Sequence, residues 1–72
     1  MFIKINDFYY NEAIIASFGP DTVGSGPCIR FRFTDGSTAV CEYPLSKYNG
    51  NIIAAEKARD ARLGYLYKKL CQ

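Results

Sequence analysis

The sequence predicts an α+β fold: an antiparallel β-meander of four or five strands with one C-terminal α-helix packed on one face. Three observations carry this prediction. Short β-favouring runs alternate with turn residues up to Tyr43. Asp35-Gly36 is a strong hairpin signal. Apolar residues recur at helical spacing over Asn51–Leu70. A chain of 72 residues has room for one core, so residues 1–72 are predicted to form a single domain.

The N-terminal part predicts a hairpin followed by a third strand. Phe2–Ile5 and Phe8–Tyr10 are β-favouring runs separated by Asn6-Asp7, a pair typical of tight turns. One face of this hairpin would carry Ile3, Ile5, Phe8 and Tyr10. Ala13–Phe18 predicts the third strand, with one turn of helix at Ala13–Ala16 as the alternative.

The middle of the chain predicts a long loop and then a strand with two distinct faces. The Gly and Pro content of Gly19–Pro27 predicts a nine-residue loop. Cys28–Thr34 alternates in the way of a strand with one buried face. Its apolar face would carry Ile29, Phe31 and Phe33, and its opposite face Arg30 and Arg32.

The return strand, Ser37–Tyr43, has two possible registers. A two-residue turn would put Thr38, Val40 and Glu42 on the face of Phe31. A three-residue loop with a bulge at Gly36 would instead put Ala39, Cys41 and Tyr43 there. The bulged register is preferred because it keeps Glu42 out of the core and beside the arginines, and an unpaired buried carboxylate costs several kcal/mol.

The last third of the chain predicts one helix, with Asn49 or Asn51 as its N-cap. Gly64 offers an alternative, in which the helix ends there and residues 65–67 form a sixth strand. A continuous helix is preferred because the leucines stay in phase across the glycine. It would carry one stripe of Ile52, Leu63, Leu66 and Leu70 and another of Ala54, Ala58, Ala61 and Tyr65. One of the two stripes is expected to cover the face of Phe31, and the other is expected either to meet a partner or to be buried by a curled sheet.

Composition excludes several classes of function. The formal net charge of +2 is mild, which argues against a strongly basic nucleic-acid binder. No apolar run is long enough for a membrane span, and the N-terminal residues lack a signal-peptide layout. Three separated cysteines (Cys28, Cys41 and Cys71) fit a reducing compartment, so a cytoplasmic location is predicted. Without His or paired Cys, neither a metal nor a cofactor is expected.

No candidate catalytic site emerges from the residue types, so a protein that is not an enzyme is predicted. Without His there is no imidazole base, and the acidic residues are scattered. Cys28 or Cys41 near Arg30 would be the candidate nucleophile, but small apolar filling is the preferred role of both. The Gly24-Ser25-Gly26 run precedes a strand, whereas a phosphate-binding loop precedes a helix.

Two binding surfaces are predicted instead. The first, for a protein partner or a second copy of the chain, lies on the helix and consists of Arg59, Leu63, Leu66, Tyr67 and Leu70. The alternative is a basic and aromatic sheet face for nucleic acid, formed by Lys4, Tyr9, Arg30 and Arg32.

The order of elements, carried by Phe2–Tyr10 and by Thr34-Asp35-Gly36-Ser37, distantly resembles several short bacterial and phage proteins of unknown or regulatory role. Small phage-borne inhibitors of host nucleases, including anti-CRISPR proteins, are similar compact α+β domains. The resemblance implies a non-enzymatic inhibitor as one form of protein-binding module, and it transfers no functional residue.

Overall fold

The structure, a computed structural model, describes residues 1–70 and confirms the α+β prediction, although the strands divide into two antiparallel sheets. The first sheet pairs β1 with β2, and the second has the order β3-β4-β5. The elements are β1 (Phe2–Ile5), β2 (Phe8–Asn11), β3 (Ile15–Val23), β4 (Gly26–Phe33), β5 (Thr38–Glu42) and α1 (Ile52–Leu70). Short 3₁₀ turns occupy Glu12–Ile14 and Leu45–Tyr48.

The predicted N-terminal hairpin is confirmed, with Asn6 in the left-handed conformation that its tight turn requires. Ile3 and Ile5 are buried in the core. Phe8 lies opposite Ile5 and Tyr10 lies opposite Ile3, so these four residues share one face as predicted, although 67% of the surface of Phe8 is exposed. The Asn6 side-chain amide in this turn donates to the Val40 carbonyl of β5, an edge strand of the three-stranded sheet. Phe8 follows this turn and therefore lies at the edge of that sheet.

The third predicted element combines both alternatives. Residues 12–14 form a helical turn. Asn11 caps this turn, because its side-chain oxygen accepts a hydrogen bond from the Ala13 amide. The strand then begins at Ile15. Its pairing with β4 is shifted between Ile15 and Ser17, which marks a bulge at this end of β3.

The predicted nine-residue loop over Gly19–Pro27 is wrong, because β3 continues to Val23 and only Gly24-Ser25 forms the turn. The Pro27 carbonyl accepts from the Tyr43 amide and the Phe33 amide donates to the Ser37 carbonyl, at the two ends of β5. The odd-numbered residues of β4 therefore bond toward β5, and the even-numbered residues bond toward β3. Pro20 lies opposite Ile29, at a position that faces the free edge. A proline there removes no ladder hydrogen bond.

The bulged register of the second hairpin is confirmed. The Gly36 amide donates to the Phe33 carbonyl at 3.0 Å, and Gly36 has a φ of 89°. Ala39 lies opposite Phe31, as the three-residue loop requires. Glu42 is exposed as expected, but it contacts the Ser25 hydroxyl rather than an arginine.

The continuous helix is also confirmed, and it runs through Gly64 to Leu70. Asn51 is its N-cap, since its side-chain oxygen accepts from the Ala54 amide at 3.2 Å. Asn49 instead takes the left-handed conformation before the helix.

The helix and the N-terminal hairpin lie side by side on the same face of the three-stranded sheet. Tyr10 of the hairpin stacks on Phe33 of β4, with ring centroids 4.9 Å apart. Arg62 of the helix donates to the Lys4 carbonyl of the hairpin at 3.4 Å. The shared core contains Ile3, Ile5, Ile29, Phe31, Phe33 and Leu66.

The two predicted helix stripes are only partly correct. Leu63, Leu66 and Leu70 pack on the core, but Ile52 is exposed. Ala55, which belongs to neither stripe, is fully buried. The buried face of the helix therefore includes Ala55 in place of Ile52, and both Ile52 and Ile53 at the start of the helix are exposed to solvent.

Candidate functional site: the groove between β3 and α1

A groove of about 800 Å³ separates β3 from the C-terminal half of α1. Its volume lies within the range of about 300–1,000 Å³ that is typical of binding pockets. The apolar side chains that line it include Ile15, Phe18, Leu63 and Leu70. Gly64 and Tyr67 lie on the helix side, and Glu12 and Lys69 contribute the charges.

The core fixes the floor of the groove. Phe18 lies opposite Phe31, and the two rings stack with their centroids 6.1 Å apart. Leu63 and Leu70 pack against the same buried cluster. A floor held by core contacts is already formed before any partner arrives, which lowers the entropic cost of binding.

The helix side of the groove is open at Gly64. A Cβ atom built on Gly64 would meet no atom within 4 Å, so the fold itself does not require a glycine there. Glycine inside a helix costs about 1 kcal/mol relative to alanine. Tyr67, one turn further along, is 65% exposed. Together these residues leave an unobstructed approach to the helix beside an accessible aromatic ring.

The strand side of the groove offers few main-chain donors to a partner, although the N–H of Phe18 faces the free edge between the bulge and Pro20. Pro20 has no N–H at its edge-facing position, and the Thr22 N–H already donates to the Asp21 carboxylate at 2.8 Å. The bulge before Ser17 interrupts the opposite end of the strand. Such features protect an edge strand against strand addition. A partner in the groove would therefore be held mainly by side-chain contacts.

The residues predicted to bind a protein partner are divided by the structure. Leu66 is fully buried, so its side chain is not available at the surface. Leu63 and Leu70 form part of the groove floor, and Tyr67 forms its wall. Arg59 is mostly buried and bonds to Asp60 and to the Asp21 carbonyl.

The sequence does not reveal the β3 half of the groove, because Gly19 and Pro20 have the composition of a loop. The predicted sites also omit Gly64, although a glycine kept within a helical pattern is itself a signal.

The residues predicted to bind nucleic acid fall into two separate pairs. Lys4 lies across from Tyr9 on the outer face of the hairpin, with its ammonium 6.0 Å from the ring centroid. Arg30 and Arg32 lie on the outer face of the three-stranded sheet. Because the inner faces of the two sheets share one core, their outer faces point away from each other.

Arg30 is also engaged within the chain. Its guanidinium lies 2.6 Å from the Asp21 carboxylate. That hydrogen bond, and then the one from the Thr22 amide, holds the pKa of Asp21 below its usual value. The same Asp21 carboxylate raises the pKa of Arg30. The positive charge of Arg30 is therefore largely compensated.

The candidate nucleophile does not have an activating environment. Cys28 is fully buried, and its desolvation raises the pKa of the thiol, the opposite of what a reactive thiolate needs. Cys41 is half-buried, and Cys71 lies outside the described residues. Residues 1–70 contain no group of three or more Cys, Asp or Glu side chains placed to hold a metal ion.

The Gly24-Ser25-Gly26 run is a tight turn, and packing explains its last glycine. Gly26 has a φ of 140°, and an added Cβ would lie 3.2 Å from Leu45 atoms and from the Tyr43 carbonyl.

No helix within residues 1–70 has the length and apolar character needed to cross a membrane. No family model matches the sequence, and no curated protein or solved structure matches it.

Proposed function

We propose that this chain is a non-enzymatic protein-binding module that receives its partner in the groove between β3 and α1. The observation that carries this proposal is the opening at Gly64. Gly64 destabilises the helix relative to alanine, although the fold leaves room for a side chain at this position. The missing side chain would let a partner lie close to the helix backbone, which would explain a glycine here.

The composition of the groove supports the proposal. An apolar floor formed by Phe18 and Leu63 lies beside the exposed ring of Tyr67, and tyrosine is enriched among residues that dominate binding energy. The inhibitor function implied by the resemblance to small phage proteins is a narrower form of the same proposal, in which the bound partner is an enzyme.

Nucleic-acid binding receives less support from the geometry. Lys4 and Tyr9 are separated from Arg30 and Arg32, and Arg30 is paired with Asp21. A continuous strip of cations and rings, which single-stranded nucleic acid requires, is therefore not assembled from these residues.

Affinity capture from an extract of the native host, compared across three forms of the protein, tests the proposal. The wild type and an Arg32→Ala variant, altered on the outer sheet face, are expected to retain the same protein partner after nuclease treatment. A Gly64→Arg variant, which fills the groove, is expected to lose it. Capture that survives Gly64→Arg but disappears with Arg32→Ala or with nuclease would overturn the proposal and favour nucleic acid.

A further inference from the structure

We propose that the groove recognises a short protein segment in which an aromatic or large aliphatic side chain is flanked by a carboxylate, with the apolar group on the floor and the carboxylate at Lys69. This inference rests on the proposed function and specifies the chemistry of its partner. It follows from three properties of the groove: its floor, its edge and its charge.

The floor determines the central side chain of the partner. Ile15, Phe18 and Leu63 present an apolar surface, and the partner must match it because a polar group placed there would lose its hydrogen bonds to water. Burying an apolar side chain stabilises a complex by about 25 cal/mol per Å² removed from water. A large apolar or aromatic side chain uses this surface best.

The edge determines how the rest of the segment is held. Pro20 has no N–H, and the N–H of Thr22, just beyond the groove, already donates to Asp21, so Phe18 is left to offer an edge-facing donor to a partner's main chain. Selectivity must then come from side chains, and in particular from the charged groups that line the groove.

The charges determine the flanking residue. Glu12 and Lys69 are the charged lining residues within residues 1–70. The Glu12 carboxylate lies 3.8 Å from the Met1 ammonium, so its charge is already partly balanced.

Lys69 has a different environment. Its ammonium lies 5.8 Å from the centroid of the Tyr65 ring, a contact with a π-face that leaves its N–H donors available to an anion. A cation that lines an apolar groove, whose acidic lining residue Glu12 already contacts the Met1 ammonium, is complementary to a carboxylate on the partner.

A random linear peptide library, displayed on yeast and sorted against labelled wild-type protein, tests this chemistry. Sorting includes depletion against Gly64→Arg, so that only peptides that need the groove are kept. The expected consensus is an aromatic or large aliphatic residue next to Asp or Glu. The dissociation constants of individual peptides are then measured by fluorescence anisotropy.

Two charge reversals on neighbouring residues separate the groove contact from general electrostatics. Lys69→Glu is expected to weaken binding roughly three- to tenfold, the scale of a partly exposed ion pair that is lost and replaced by repulsion. Lys68→Glu carries the same charge change in the same helical turn, but Lys68 does not line the groove. It is expected to change the dissociation constant less than about twofold.

The possible failures are distinguishable. Groove-dependent peptides that lack acidic residues, or that bind Lys69→Glu as tightly as wild type, would overturn the inference and leave the proposed function standing. If no peptide prefers wild type over Gly64→Arg, the inference is overturned, and the proposed function is overturned with it only if Gly64→Arg also retains the protein partner in the capture experiment.

Discussion

Leu66 and Tyr67 are neighbours in sequence, yet one side chain is buried in the core and the other is exposed at the groove. The Leu66 side chain is fully buried between the hairpin and the sheet, whereas Tyr67 is 65% exposed at the groove. Two consecutive residues therefore mark the core-facing side of α1, which stabilises the fold, and its groove-facing side, which is accessible to a partner. The comparison shows that helix position, rather than residue type alone, decides whether an apolar side chain serves stability or binding.

Exchanging one residue on each side should give the largest difference. Leu66→Asp is expected to unfold the protein. Truncation of a buried leucine to alanine alone costs about 2–5 kcal/mol, and an uncompensated buried carboxylate adds to that. A domain of this size has a free energy of unfolding near the low end of about 5–15 kcal/mol. Far-UV circular dichroism and urea titration measure the effect.

Tyr67→Asp is the matched control for this substitution, because it places the same side chain one residue further along. It should leave the unfolding transition almost unchanged, since surface substitutions usually change stability by less than about 0.5 kcal/mol. Cooperative unfolding of Leu66→Asp at the wild-type urea midpoint would remove the distinction between the two sides.

The sequence was sufficient for much of the core-facing side. The alternation of Ile29, Phe31 and Phe33 identified the buried face of β4, and the cost of burying Glu42 selected the correct register for β5. The leucines on both sides of Gly64 indicated that the helix continues. Each of these inferences rests on local periodicity or on a burial cost that a single sequence reveals.

The groove-facing side was harder to predict, because it depends on which strands are neighbours. Pro20 disrupts a central strand but not an edge strand, and nothing in its local sequence states that β3 lies at an edge. The same applies to Phe8, which has a core-like pattern but lies past the margin of the sheet. The division into two sheets likewise separates Lys4 from Arg32, which a single flat meander would have placed on one face.

Gly64 offers a smaller and sharper test of the same comparison. Gly64→Ala is expected to raise the free energy of unfolding by about 1 kcal/mol, because alanine restricts the unfolded chain and meets no obstacle in the fold. For a domain of this length the melting temperature should rise by roughly 4–8 °C. Differential scanning calorimetry measures it.

The reverse exchange on an exposed residue of the same helix provides the control. Ala61→Gly should lower stability by a similar amount, since Ala61 is exposed within α1. If Gly64→Ala proves destabilising while Ala61→Gly behaves as expected, then Gly64 is required by the fold, and its role as an approach for a partner loses its basis.

Alkaline pH is expected to lower the stability of the fold through Tyr43, which lies on the core-facing side of the molecule. Tyr43 packs against the core, where burial raises its pKa from the usual 10.0 to about 12, with a further contribution from nearby Cys41. A pKa raised in the folded state favours folding below the unfolded value, and this contribution is lost as pH rises toward the folded value. Stability should therefore fall between pH 10.0 and about 12.

Two tyrosine-to-phenylalanine variants locate the source of that loss. Tyr43→Phe removes the titrating hydroxyl and is expected to flatten the decline in urea midpoint over this alkaline range. Tyr67→Phe removes an exposed hydroxyl from the groove wall and should decline as wild type does. Equal declines in all three proteins would mean that ionisation of Tyr43 does not govern alkaline unfolding. A flattened decline in Tyr67→Phe alone would mean that the groove-facing side contributes to the stability of the fold after all.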